Sequence, residues 1–266
     1  MKTQPLTILL TGAGSGIGKA VKERLERSGH TVFGVDLRYA EQSENDFIGD
    51  ITSPEDMQRI KVVLENRGVA LDWVMNFAGV HTMASFIEED YEKIKRLTEI
   101  NFLGAVLVNQ TFHSLLKPHG KILITTSEVA PLAPLPFNGL YSVTKTALDA
   151  YAQALRQELN LLGQKVVTLR PGAIETPLAR GNAEATQKLC DKTVLYKKES
   201  KYFGGIVKKF TGTPMPAEKL AVLVEKITQK KKPKYVYAKH RNVGLWLLSI
   251  LPKRLQCFIV KKLVQR

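Results

Sequence analysis

An α/β fold built on a doubly wound parallel sheet is what this 266-residue sequence predicts. Three observations carry the expectation. Short β-branched or apolar runs alternate with helix-length segments along the chain. The runs are apolar nearly throughout, as strands covered on both faces are. No linker, repeat or low-complexity tract divides the chain, so about seven strands with helices on both faces are expected in a single domain, residues 1–266.

The elements follow in order. Strands are read at 7–11, 31–36, 72–79, 121–127, 165–172 and 234–238. Helices are read at 17–28, 54–66, 91–116, 142–162 and 217–229. Gly29 and Gly163 suit positive-φ positions just past a helix. Ser53 before Pro54 is an N-cap followed by Pro in the first helical turn. Residues 176–216 read as an irregular stretch too long for an ordinary connection. Such stretches are functional or mobile, or hide a helical insertion.

Composition narrows the class. The apolar fraction of 44% and charged fraction of 24% are those of a soluble globular protein. Cys190 and Cys257 form no CxxC pair, so neither a disulfide framework nor a metal cluster is expected. The chain passes from Pro5 straight into an apolar strand, and no signal peptide is visible. A reducing, cytoplasmic setting is therefore expected. The net charge of +14 is concentrated. Residues 197–266 hold 18 Lys or Arg against 3 Asp or Glu, while residues 1–196 hold 21 against 22. The basic quarter is either a solvated face or an attractor for an anionic substrate, a membrane surface or nucleic acid.

"TGAGSGIG" (11–18) carries Gly12, Gly14, Gly16 and Gly18 between a predicted strand and a predicted helix. That is where a phosphate cradle belongs. Glycines permit close backbone approach, and the helix N-terminus offers free N–H groups to a pyrophosphate. Asp36 closes the second strand, where a carboxylate accepts from ribose hydroxyls and repels a 2′-phosphate. NAD(H) is therefore favoured over NADP(H), with Arg38 as the residue that could offset Asp36. "YSVTK" places Tyr141 and Lys145 at i and i+4, on one helix face. An ammonium beside a phenol lowers its pKa from about 10 and suits it to exchange protons with an alcohol or carbonyl.

The ordered set TGAGSGIG (11–18), Asp50, NFAG (76–79), NFLG (101–104), Ser127, YSVTK (141–145) and Pro171-Gly172 resembles the short-chain dehydrogenase/reductase family. The likeness covers about residues 6–176. It implies a Rossmann domain of strand order 3-2-1-4-5-6-7, a nicotinamide cofactor, and catalytic Asn101, Ser127, Tyr141 and Lys145. By the same resemblance Tyr141 exchanges the substrate proton and Lys145 tunes Tyr141 and binds the nicotinamide ribose. Ser127 holds the substrate oxygen, and Asn101 anchors a water leading to Lys145. Thr11, Gly12, Gly14, Ser15, Gly16, Ile17 and Gly18 are implied for the pyrophosphate side. Asp36, Leu37, Arg38, Asp50 and Ile51 are implied around the adenosine. Asn76, Ala78, Gly79, Pro171, Gly172, Ile174 and Thr176 are implied toward the sheet centre and nicotinamide. Residues 177–216 fall in the family's variable substrate-binding part. Two positions depart from the pattern. Phe77 stands where the family has asparagine. Ser127 precedes Tyr141 by 14 residues, one more than usual, which puts Glu128 at the usual spacing.

The five histidines have no metal-ligand spacing, and no metal is expected. His81 reads as an incidental loop residue more readily than as a site residue. The tail, 240–266, is basic and apolar. "VGLWLLSILP" (243–252) is far shorter than the roughly 20 residues that span a membrane. Leu255, Phe258, Ile259 and Leu263 fall at helical spacing. The tail can pack on the body or a twin subunit, lie on a membrane surface, or wall a lipophilic pocket.

The function expected is NAD(H)-dependent interconversion of a secondary alcohol and a ketone, lipophilic in the manner of a steroid, retinoid or acyl chain. A homodimer or homotetramer is expected. A non-catalytic NAD(H) sensor and an NADP(H)-dependent carbonyl reductase are the alternatives. Nucleic acid is not expected as a partner, since the basic quarter carries no recognition motif.

Overall fold

The structure is a computed structural model that describes residues 4–210 and 213–265, with side chains described outside 177–183 and 208–210. Residues 211–212 of the predicted variable segment lie outside the described residues.

Seven strands form one parallel sheet: β1 (Thr7–Thr11), β2 (Thr31–Asp36), β3 (Asp46–Ile48), β4 (Leu71–Asn76), β5 (Leu116–Thr125), β6 (Lys165–Pro171) and, later in the chain, β9 (Val236–Lys239). Their order is β3-β2-β1-β4-β5-β6-β9. Every ladder is parallel, from Thr7 opposite Thr31 to Pro171 opposite Lys239. Two two-residue strands, β7 (Ile174–Glu175) and β8 (Met215–Pro216), pair apart from the sheet.

Alternation along each strand builds a core on each face. Leu9, Val74, Ile122 and Ile124 face one side, packed by α2 (Pro54–Asn66), α4 (Gly104–Phe112) and α5 (Gly139–Leu161). Ile8, Leu10, Trp73 and Leu123 face the other, packed by α1 (Gly16–Arg27) and α8 (Ala217–Thr228). In α2, Met57, Ile60 and Leu64 recur at helical spacing and are fully buried. Ser53 caps that helix, its side chain accepting from the Asp56 N–H. Gly29 and Gly163 take φ of 83° and 74° just past their helices, as expected.

Several element readings change. The helix expected over 91–116 is α3 (Tyr91–Thr98), a π-helical turn (Glu99–Leu103) and α4, then a short 3₁₀ turn. β5 begins at Leu116, earlier than expected, because the apolar run is preceded by an extended "LKPHG". β3 is only three residues long, too short for a periodic signal. The irregular stretch expected over 176–216 is mostly helical, as α6 (Pro177–Lys192) and α7 (Lys197–Phe210). The tail folds as α9 (Val243–Ser249) and α10 (Lys253–Val264). Among the described residues no helix is long and apolar enough to cross a membrane.

Polar ties fix α5 over the strand ends. Arg170 forms a bidentate pair with Asp149 at 2.8 and 2.6 Å, and Thr126 donates to Asp149 at 3.1 Å. Buried Arg156 donates to the Val166 carbonyl at 3.0 Å and to Thr168 at 2.7 Å. The N-terminal turn of α5 is thereby held at the carboxyl ends of β5 and β6. The sheet order reverses between β1 and β4, and a crevice at that point is where such sheets bind ligands.

Candidate active site

The glycine-rich turn is shaped by backbone contact. Gly12 has φ of 74°, and a Cβ there would lie 2.7 Å from the Ala78 nitrogen. A Cβ on Gly18 would lie 2.0 Å from the Gly12 carbonyl oxygen. The turn therefore closes only without side chains at these positions. Ser15 makes no side-chain cap for α1, and the first turn carries no acidic residue. The N–H groups there suit an anion. This is the fit a dinucleotide pyrophosphate requires. Thr11 is buried and accepts from the Ala78 N–H at 3.4 Å.

Asp36 ends β2, and its carboxylate accepts from the Gly14 N–H at 2.8 Å and the Arg38 N–H at 3.4 Å. Leu37 and Arg38 are exposed beside it. Asp50 accepts from the Thr52 N–H and hydroxyl at 2.9 and 2.7 Å and pairs with Arg96 at 2.7 Å. Burial pushes its carboxyl up, but those hydrogen bonds and the Arg96 charge hold it below the usual range. Ile51 points into the core, where a Cβ on Gly104 would touch it. Asn76 donates to Asn109 at 2.9 Å and to the Leu123 carbonyl at 3.3 Å, bridging β4 to its neighbours.

Asn101, Ser127, and the α5 pair Tyr141 and Lys145 come together from three stretches of chain. Tyr141 lies in the first turn of α5 and hydrogen-bonds Ser127, which follows β5. The Lys145 ammonium lies 5.8 Å from the Tyr141 ring centroid and donates to the Thr125 carbonyl at 3.3 Å. Asn101 sits in the π-helical turn, and irregular turns of this kind are frequent at functional sites. It donates to the Val80 carbonyl at 2.8 Å and to Thr144 at 3.1 Å, and accepts from the Val80 N–H at 2.8 Å. Gly79 lies between: a Cβ there would be 3.2 Å from Asn101 Oδ1 and 3.3 Å from Lys145 Nζ.

The electrostatics correct one expectation. From the i,i+4 spacing Lys145 is expected to lower the Tyr141 pKa. Burial dominates instead, pushing the phenol up to about 12, against a lowering hydrogen bond from Ser127 and with a raising charge on Glu128. Burial also drives Lys145 down to about 8. Both groups resist their charged forms, so Tyr141 holds its proton at neutral pH.

The longer Ser127–Tyr141 connection leaves Ser127, not Glu128, on the tyrosine. Phe137 takes φ of 62° within that loop, its ring stacked edgewise on Tyr196 and Phe203. Glu128 instead accepts from the Asn242 N–H, at the start of α9. Burial raises its carboxyl pKa. His81, read as incidental, meets Tyr141 edge to face at 4.7 Å, while its Nε2 lies 2.9 Å from Asn138 Oδ1. Burial lowers its pKa. Only its position after "NFAGV" hinted at this.

These residues close one end of a cavity of about 620 Å³. Ile17, Gly79, Pro171, Gly172, Ile174 and Thr176 line it from the cofactor side, with Phe77 among them. Gly172 is fixed by contact: a Cβ would lie 1.8 Å from the His240 carbonyl oxygen. The far walls are hydrocarbon: Met83 and Leu135, Phe203 and Ile206 of α7, Leu245 and Leu248 of α9, Val260 and Val264 of α10. Of the tail's three readings, packing on the body and walling a pocket both match this placement: Val260 and Val264 pack with Phe203 and line the cavity. The expected stripe is split, however. Ile259 and Leu263 line the cavity, while Leu255 and Phe258 face outward. Among the described residues no group of His, Cys, Asp and Glu could hold a metal.

Known proteins share this architecture. A 1-hydroxy-2-glutathionyl-2-methyl-3-butene dehydrogenase from Rhodococcus is 31% identical over 182 residues, covering 65% of this chain and 80% of its own. A 3-ketodihydrosphingosine reductase from Bacteroides thetaiotaomicron is 26% identical over 239 residues, covering 87% of each. A Burkholderia cenocepacia short chain dehydrogenase, solved in complex with NADP, superposes with a TM-score of 0.72 at 18% identity, covering 97% of this chain and 98% of its own. That likeness shows the fold. The profile of the short chain dehydrogenases matches residues 6–187, so this chain belongs to that family of NAD(P)-dependent oxidoreductases.

Proposed function

We propose that the protein interconverts a lipophilic secondary alcohol and its ketone with NAD(H), Tyr141 exchanging the proton at the substrate oxygen. The observation that carries this reading is the Ser127–Tyr141–Lys145 group at the polar end of a hydrocarbon-walled cavity. The nicotinamide, when bound, supplies or accepts the hydride. Ser127 holds the substrate oxygen beside the phenol. Tyr141, protonated at neutral pH, is ready to donate to a ketone oxygen. Lys145, its pKa lowered by burial to about 8 and so still charged at neutral pH, is the group from which Tyr141 recovers its proton, and Asn101 braces the chain beside it. The apolar walls exclude water and take up the substrate's carbon skeleton.

Asp36 supports NAD(H): its carboxylate stands at the strand end where a 2′-phosphate would be repelled. The Burkholderia neighbour's NADP keeps the other cofactor in view, with exposed Arg38 as the residue that would serve it. The Bacteroides relative's name supports a long-chain ketone, whereas the Rhodococcus relative's name describes a glutathione conjugate. A homodimer or homotetramer, a cytoplasmic setting and peripheral contact of the tail with membranes complete the reading. The test is a turnover screen over steroid, retinoid, short-chain and acyl ketones with both cofactors, with Tyr141→Phe as control. Equal turnover by the control would refute the mechanism.

A further inference from the structure

The tail helices divide their side chains between the cavity and the outside. Leu248 and Leu251 line the cavity from α9 and its end, and Val264 does so from α10. Trp246 and Phe258 are not among the residues lining this cavity and are 43% and 57% exposed. Between these sets stands a third. Leu247, Ile250 and Leu263 line the cavity and are also exposed, at 50%, 60% and 37%. These three are lining residues that solvent also reaches, so the cavity opens beside the tail helices, which also expose Trp246 and Phe258.

Charge surrounds this exposed surface. Lys253, Arg254, Lys261 and Lys262 of α10 are exposed, and the Lys262 ammonium lies 5.8 Å from the Phe258 ring centroid. After Glu225 the sequence holds 12 Lys or Arg and no Asp or Glu. Exposed aromatic and aliphatic side chains interleaved with cations fit a bilayer interface, where rings enter the acyl boundary and ammonium groups meet anionic headgroups. A second copy fits poorly. A two-fold contact sets a patch against itself and would bring two acid-free cationic tails together.

We propose that the outer face of α9 and α10 docks on an anionic lipid bilayer, and that a lipophilic substrate passes from the lipid through the Leu247–Ile250–Leu263 rim to Tyr141. The docking half stands on the surface alone, while the entry half rests on the proposed lipophilic substrate.

The experiment uses the full chain and vesicles of phosphatidylcholine, with or without about 30% phosphatidylserine. Wild type co-sediments with the anionic vesicles and is released by salt. Trp246→Ser/Phe258→Ser lowers that partition at least about tenfold. Lys253→Glu/Lys261→Glu/Lys262→Glu removes the preference for anionic lipid. With a long-chain ketone loaded in the vesicles, wild-type kcat/KM exceeds that of the Trp246→Ser/Phe258→Ser variant about tenfold, while a short soluble ketone is turned over equally by both. Absence of wild-type co-sedimentation, or binding indifferent to both variants, overturns docking. So does a change of oligomeric state in the variants with vesicle binding intact, which would make the face an interface between copies. Equal rates on loaded vesicles overturn the entry route. Sedimentation reads docking even if neither ketone is turned over, so failure of the proposed activity is told apart from failure of this surface.

Discussion

The cofactor side and the tail meet in one cavity and are built by different constraints. On the cofactor side, backbone touches backbone: Gly12, Gly18 and Gly172 sit where a single added carbon would collide. Side chains there have named partners, such as Asp36 on the Gly14 N–H and Asn101 on Val80. In the tail, the wall is Leu, Ile and Val, which exchange for one another at small cost. The catalytic end is thus tightly determined, whereas on the proposed reading the tail's hydrocarbon wall selects a substrate mainly by volume and shape.

Substitutions can break either half. The largest expected effect is on the tyrosine. Tyr141→Phe should lower kcat by about 10²–10⁴-fold with cofactor affinity, read by NADH fluorescence, nearly unchanged. Ser127→Ala should cost about 10²–10³-fold in kcat, again sparing cofactor binding. A near-normal kcat would hand the oxygen-holding role to a neighbour. Asp36→Asn should shift the ratio of kcat/KM for NAD(H) over NADP(H) by about tenfold toward NADP(H), roughly one lost charge interaction. An unchanged ratio would refute the carboxylate's role.

The tail half is tested more gently. Glu128 ties Ser127's loop to α9 through the Asn242 N–H. Losing a hydrogen bond to a charged group costs about 1.5–3 kcal/mol, so Glu128→Ala should raise KM for a long ketone about tenfold and leave kcat within about threefold. Glu128→Gln, which keeps an acceptor, should recover most of the loss. A fall in kcat without a change in KM would move Glu128 into the chemistry.

Lys145 gives a pH signature. Its folded pKa, about 8, lies below the ordinary 10.5 because it is buried. Between these values the unfolded chain binds a proton that the folded chain does not, so this group's contribution to stability rises with pH across that window. Below it the full penalty stands, on the order of 3 kcal/mol. Lys145→Met should therefore be more stable than wild type at pH 7, and the advantage should shrink toward pH 10. Urea unfolding at both pH values checks it, and a pH-independent difference would show that Lys145 is not paying a charging cost in the fold.

The same contrast explains what the sequence disclosed. The parallel sheet was legible because Leu9, Val74 and Ile122 lie in strands apolar on both faces. The cradle was legible because Gly12 and Gly18 answer to close contacts that nothing else satisfies. Ser127's place beside Tyr141 was legible despite the odd spacing, because it lies just past the end of β5. The helices α6 and α7 were not: Gly181-Asn182 interrupts the pattern of the first, and Gly204, Gly205 and five lysines that of the second. His81 was hidden because its edge-on contact with Tyr141 joins residues 60 positions apart. The pKa of Tyr141 was misjudged because spacing reveals a neighbouring ammonium and says nothing of desolvation. The tail's role was undecided because an amphipathic helix looks alike whether its apolar side meets a cavity, a subunit or lipid.

The central claim is that a polar proton-exchanging group serves a hydrocarbon-walled chamber, and chain length tests it most directly. Each methylene buried in such a chamber is worth about 0.8 kcal/mol, roughly fourfold in kcat/KM. Across methyl ketones from about four to about fourteen carbons, kcat/KM should climb by up to that factor per carbon and level off when the cavity is full. A flat or falling series would contradict the account.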